Sequence, residues 1–106
     1  MQPIKIITSK ELEMLLEKEQ TVSLIDVREN EEVIQGIIPG ARHIRMGEIP
    51  ARKEELDKNI IHFIICRSGA RSGRVCEYLQ SLGYDVVNVE GGMLDWEGEV
   101  KIMFTY

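Results

Sequence analysis

The sequence predicts an α/β fold in which a sheet is wrapped in helices. Three observations carry that expectation. Short apolar runs suited to buried strands alternate along the chain with helical periodicities. The strongest of these runs, residues 60–65, is rich in β-branched and aromatic side chains, as a strand buried on both faces requires. That run ends on Cys66, and the stretch "CRSGARSGR" then passes through glycine and serine into a helical pattern.

Composition narrows the function classes. A chain of 106 residues, 43% hydrophobic and 29% charged, has the size and core-forming content of one globular domain, so residues 1–106 are expected to fold as a single unit. Thirteen Lys and Arg against eighteen Asp and Glu leave a formal net charge of -5. That balance argues against wrapping nucleic acid or coating an anionic membrane, and it makes any anion site a local one. Cys66 and Cys76 lie ten residues apart without metal-ligand company and are too few for a disulfide scaffold. A reducing compartment fits them best. The start, "MQPIKIITSKELE", lacks the apolar core of a signal peptide, and no apolar stretch approaches the ~20 residues that cross a bilayer. The expectation is a soluble, cytoplasmic protein.

Each element has its own signal. Residues 4–7 form the first strand candidate. Thr8 stands three residues before Glu11, the spacing of a capping box, and Leu12, Leu15 and Leu16 share one face of a helix expected to end near Glu19. Residues 22–27 read as a second strand, closing on Asp26 and Arg28. "ENEEVIQG" follows as a short helix stopped by Gly36, and "IIPGARHI" sets a Pro-Gly turn before a brief extended piece. Residues 47–58 read as irregular helix interrupted by Pro50, and His62 interrupts the strand at 60–65. From about Ala70, Val75, Cys76, Leu79 and Leu82 recur at spacings of three and four up to Gly83, which is a helical stripe. Residues 86–89 form the next strand, and "GGMLDWEGEV" makes a glycine turn into a short helix. Residues 101–105 either pair as a last edge strand or fray as a tail. There is no internal repeat, low-complexity tract or linker.

These assignments put Cys66 at the C-terminal end of a central strand, the edge where open α/β sheets bind ligands. Gly69, with the small residues Ser68 and Ala70, lets the backbone curl so that several N–H groups point inward. Such a nest, added to the helix dipole, stabilises an anion at its centre. A sulfur held there is favoured as thiolate, and Arg67 and Arg71 are expected to depress its pKa further. Arg74, one turn on, would extend the positive rim. Cys76 lies on the apolar stripe of the helix and reads as core packing.

Taken in order, "LIDVRENEE", "IPGARHI", "CRSGARS" and "GGMLDW" resemble a single-domain rhodanese, of the sulfurtransferase family, over nearly the whole chain. The resemblance implies a central, mostly parallel five-stranded sheet flanked by helices on both faces, with Cys66 as the nucleophile that carries sulfur as a persulfide. It makes Arg67, Ser68, Gly69, Ala70 and Arg71 the substrate-binding loop. Asp26 and Arg28 match the family's early Asp and Arg, and Gly91, Gly92 and Trp96 its late Gly-Gly and Trp segment. Asp26, Arg28 and Ser72 are the supporting candidates. The chain departs from the family where members commonly read Gly-His-Ile-Pro-Gly-Ala: Ile37 replaces the histidine, which touches local hydrogen bonding more than catalysis.

The chemistry follows from the residues. A thiolate attacks the outer sulfur of a donor such as thiosulfate, sulfite leaves, and an acceptor nucleophile later takes the sulfur. The acceptor would be cyanide, a thiol, a thioredoxin-like protein or a partner enzyme. Arg67 or Arg71 would orient the dianionic donor through the planar guanidinium fork. No metal or organic cofactor is needed. The rival reading is a cysteine phosphatase or arsenate reductase, whose pattern has five residues between Cys and Arg; here four separate Cys66 from Arg71, a cradle better matched to one sulfur atom. A protein persulfide carrier or a regulatory binding module on the same fold is the other alternative.

The remaining candidates have plainer readings. Asp26 and Arg28, two apart on extended chain, share a side and are expected to fix neighbouring loops by ion pairing. His43 and His62 lack partners at an informative spacing and read as incidental surface or strand residues. Met93 and Trp96 read as core packing. The runs "ENEE" and "ARKEELDK" read as solvated helix faces.

Overall fold

Five strands join into one sheet in the order β1-β5-β4-β2-β3, and every pairing is parallel. The strands are β1 (Lys5–Thr8), β2 (Ser23–Asp26), β3 (Arg42–His43), β4 (Ile61–Ile65) and β5 (Asp85–Glu90). The structure is a computed structural model that describes residues 2–19 and 21–102. Parallel neighbours need crossovers, and helices supply them: α1 (Ser9–Lys18) leads from β1 toward β2, and α4 (Ala70–Ser81) connects β4 to β5. The short helices α2 (Asn30–Val33) and α3 (Ile49–Arg52) lie on the way from β2 to β3 and from β3 to β4.

The sheet separates two apolar cores. On one face Ile25, Ile64 and Val86 pack with Val75, Cys76 and Leu79 of α4 and with Ile49 of α3. On the other, Leu24, Ile65 and Val89 pack with Leu12 of α1, joined by Met93 and Trp96. The two-residue period of the strands produces this division, because successive side chains alternate between faces. Helices therefore cover both faces, as the resemblance implied.

The Thr8–Glu11 capping box forms: the Glu11 N–H donates to Thr8 Oγ1 at 3.0 Å, and the Thr8 N–H donates to Glu11 Oε1 at 2.9 Å. Several expectations need correction. Pro50 does not interrupt a helix; it sits in the first turn of α3, where its missing N–H costs nothing. The flanking pieces, Met46–Glu48 and Lys53–Glu55, are 3₁₀ turns. His62 does not interrupt β4. It is buried within the strand, its Nδ1 2.6 Å from Ser23 Oγ and its Nε2 2.7 Å from the Asp57 carbonyl, so both ring nitrogens are partnered. β4 starts at Ile61, and Ile61 and the preceding Ile60 are exposed, so burial on both faces holds only for its C-terminal half. Lys101 makes an isolated antiparallel bridge to Ile37, and residues 103–105 of that expected piece lie outside the described residues. Among the described residues no helix is long and apolar enough to cross a membrane.

Candidate active site

The site grows out of strand order. In the register of the central pair, Asp26 of β2 lies beside Ile65 of β4, and the Val27 N–H still donates to the Ile65 carbonyl at 3.0 Å. Beyond that rung both chains leave the sheet at its C-terminal edge, Cys66 on one and Arg28 on the other.

Cys66 is followed by a turn that carries the chain into α4. Gly69 caps the helix at φ +104°, a left-handed conformation that L side chains rarely adopt. A side chain there would also crowd the backbone nitrogen of Gly91, just past the end of β5. With the loop so curled, the Gly69 N–H donates to Cys66 Sγ at 3.1 Å and the Ser72 N–H donates at 3.3 Å. The Ser72 hydroxyl lies 3.3 Å from the same sulfur.

These contacts decide the electrostatics. Burial alone pushes the Cys66 thiol up. The Ser72 hydroxyl and the N–H groups of Ser72, Gly69 and Ser68 outweigh that cost, and the net result is a thiol below its ordinary value. The expected nest therefore exists, but its hydrogen bonds, rather than the arginines, dominate the depression. Cys76, one turn along α4 from Ser72, behaves in the opposite way. Desolvation, with the Cys66 charge and Glu77 adding to it, pushes it up to about 12, as suits a core thiol.

Of the two loop arginines, Arg71 is committed. Its Nη1 and Nη2 donate to Glu32 Oε1 and Oε2 at 2.7 and 2.8 Å, a two-pronged clasp that holds the Glu32 carboxyl down at about 2. Glu32 also closes the capping box of α2 by accepting from the Glu29 N–H at 2.9 Å. The run "ENEE" is thus not merely a solvated face. Arg67 is exposed and, among the described residues, has no carboxylate partner. It lines a cavity of about 390 Å³ at the mouth of the loop with Arg28, Glu31, Glu32, Gln35, Met93 and Leu94. Arg74 does not extend a positive rim here; it lies beside Met46, Pro50 and Tyr78 on another side of α4.

Asp26 and Arg28 form a buried pair. Arg28 Nε donates to both Asp26 oxygens at 3.0 Å, Nη2 donates to Oδ2 at 2.8 Å, and the same Nη2 reaches the Gly36 carbonyl at 2.8 Å. This ties the end of β2 to the turn after α2, the structural role the spacing suggested. His43 Nε2 meets the Arg28 carbonyl at 2.7 Å. Ile37 is buried, and its N–H and carbonyl pair with Lys101 at 3.0 and 2.8 Å, so no side-chain polar group is needed there.

Asn88 escaped sequence reasoning, and Gly92 was reached only through the Gly-Gly segment of the resemblance, with no structural role given to it. Gly92 lies in the 3₁₀ turn Gly92–Asp95, whose Met93 and Leu94 N–H groups donate to the Cys66 and Arg67 carbonyls, each at 2.9 Å. A Cβ on Gly92 would collide with those same carbonyls, so the close approach that anchors the loop requires glycine. Asn88 of β5 accepts from the Ser72 hydroxyl at 2.5 Å and donates from Nδ2 to the Gly69 carbonyl at 3.1 Å. Its signal was a lone polar residue in an apolar strand, two positions from the core residue Val86 and hence on the same face.

Comparison with known proteins gives the same architecture a family. A family model described as "Rhodanese-like domain" matches residues 8–99. The "Putative sulfurtransferase YtwF" of Bacillus subtilis is 54% identical over 98 residues, covering 92% of this chain and 95% of that protein. A protein of Allochromatium vinosum named "Sulfurtransferase" is 42% identical over 91 residues, 85% of each chain. The crystal structure of a rhodanese-like domain protein from Staphylococcus aureus superposes with a TM-score of 0.90 at 43% identity, covering 95% of this chain and all of that one. With the parallel sheet, the cysteine loop at its C-terminal edge and these relatives agreeing, the chain belongs to the rhodanese-like domain family.

Proposed function

We propose that the chain is a sulfurtransferase in which Cys66 carries the travelling sulfur as a persulfide. The observation that supports this reading most strongly is the ring of donors around Cys66 Sγ, with Gly69 and Ser72 N–H groups at 3.1 and 3.3 Å. The thiolate attacks the outer sulfur of thiosulfate, the S–S bond of the donor breaks, and sulfite departs with the bonding pair. Cys66 is left as Cys–S–S⁻. A thiol or cyanide then attacks the outer sulfur, the new S–S bond breaks, and the thiolate returns. Backbone donors aimed at the sulfur need no reorganisation as charge passes over it.

Arg67 is assigned to the donor anion, because it lines the mouth with its guanidinium uncommitted among the described residues, whereas Arg71 is held by Glu32. The same clasp weighs against phosphate chemistry, since the arginine that would bracket a phosphoryl group is already bound. Cys66 has no exposed surface, so loading requires a small local opening of the loop or its cover. A reducing, cytoplasmic setting is the one in which Cys66 stays available as a thiol.

The test is thiocyanate release from thiosulfate and cyanide. Turnover by the native protein that is lost in Cys66→Ser is expected. Failure to load sulfur from thiosulfate while polysulfide loads readily would overturn thiosulfate as donor.

A further inference from the structure

The Ser72 hydroxyl has one proton and two neighbours that want it. Asn88 Oδ1 is 2.5 Å away and Cys66 Sγ is 3.3 Å away. The amide of Asn88 is fixed in its orientation, because its Nδ2 donates to the Gly69 carbonyl at 3.1 Å and the reverse orientation would set two carbonyl oxygens against each other. With Oδ1 facing Ser72, the proton goes to Asn88, and the hydroxyl turns a lone pair toward the sulfur. That arrangement suits a Cys66 S–H, which donates to Ser72. It does not suit a thiolate, which needs the hydroxyl to rotate toward it and leave Asn88 Oδ1 without its donor.

We propose that Asn88 is a positioning residue for Cys66: by competing for the Ser72 proton it weakens the help that the hydroxyl gives the bare thiolate and thereby favours the sulfur-loaded form. In Cys–S–S⁻ the charge has moved outward by one S–S bond, about 2 Å, and the inner sulfur no longer competes for the hydroxyl. Asn88 and Ser72 can then keep their hydrogen bond while the N–H groups of the loop serve the charge. The proposal rests on the persulfide reading above and adds a residue that sets the balance between its two states.

The charged and titratable groups around the sulfur come from the loop and α4, from Arg28, Glu31 and Glu32 across the mouth, and from the end of β5 and the turn after it. Arg71 and Cys76 both sense the Cys66 charge, and Arg67 stands at the mouth. β5 offers the uncharged Asn88 and, at its end, the exposed Glu90; the following turn offers the exposed Asp95. None of these charged groups hydrogen-bonds to Ser72 or Asn88.

The experiment is an ultraviolet thiolate titration of donor-free protein for the parent, Asn88→Ala, Ser72→Ala and the double variant. Releasing the hydroxyl to a charged acceptor should lower the Cys66 midpoint by about one pH unit in Asn88→Ala. In the Ser72→Ala background the same change should do nothing or act in the opposite direction, since the lost bond to Gly69 is then all that remains. At a fixed ratio of thiosulfate to sulfite, Asn88→Ala should also hold about tenfold less persulfide relative to free thiolate. A midpoint that stays or rises in Asn88→Ala, or an equal fall in the Ser72→Ala background, overturns the proposal. The titration needs no donor, so a protein that shows the coupling but never takes up sulfur refutes the proposed function and not the hydrogen-bond switch.

Discussion

Arg67 and Arg71 share a residue type and a loop, yet their surroundings give them different work. Arg71 spends both terminal nitrogens on Glu32, while Arg67 faces the mouth cavity. Arg67→Ala should therefore raise the KM for thiosulfate about tenfold, the worth of one charge-assisted hydrogen bond, with kcat changed little. Arg71→Ala should instead lower stability and disturb the loop. Steady-state kinetics beside thermal melts separates the two outcomes, and a selective KM effect in Arg71→Ala would reverse the assignment. The cysteines divide in the same way. Cys66 is drawn down by hydrogen bonds that Cys76 lacks, and the same burial that Cys66 overcomes leaves Cys76 inert.

At the scale of elements, loop and helix positions depend on contacts between segments far apart in sequence. The Glu32–Arg71 clasp joins α2 to α4 across the loop. Its carboxyl is held at about 2 in the fold against an ordinary 4.5, so it contributes stability that is complete above about pH 4.5 and fades as pH falls toward 2. Glu32→Gln should cost about 1 kcal/mol at neutral pH, as partly exposed pairs do, and the gap should close in acid. Denaturant melts at several pH values measure it; a gap independent of pH would refute the linkage. Gly92→Ala should be worse than its size suggests, because the added carbon meets the Cys66 and Arg67 backbone. Lost sulfur transfer with a lowered melting temperature is expected, and a variant with parent activity would contradict it.

The same scale shows what was legible beforehand. Short apolar runs revealed the strands, a spacing of three and four revealed α4, and the Thr8 capping box placed the start of α1, since those signals are local. Cys66 and its loop were legible because glycine, serine and arginine beside a strand-end thiol have few other uses. Glu32 and Asn88 were not, and Gly92 only as part of the resemblance, because their contacts lie with partners 39, 16 and 26 residues away along the chain. Pro50 was misread for a local reason: proline ends a helix from within but also begins one.

Across the whole molecule, parallel strand order brings these distant pieces to one edge. β2 delivers Asp26 and Arg28, β4 delivers Cys66, α4 presents its N-terminal N–H groups, and β5 brings Asn88 and the glycine turn beneath the loop. A chain with net charge -5 thereby concentrates anion-stabilising donors at one point, where they serve a single sulfur. The buried Asp26–Arg28 pair secures one side of that edge, and removing either partner would strand a charge in the core at a cost of about 3 kcal/mol or more. The proposed function depends on Cys66 holding the sulfur. Its most direct test is the intact mass of native protein and of Cys66→Ser after incubation with thiosulfate and, separately, with polysulfide. A gain of one sulfur atom in the native protein, absent from Cys66→Ser, is the expected result; no gain from either donor by folded, reduced protein, or an equal gain in Cys66→Ser, would contradict it.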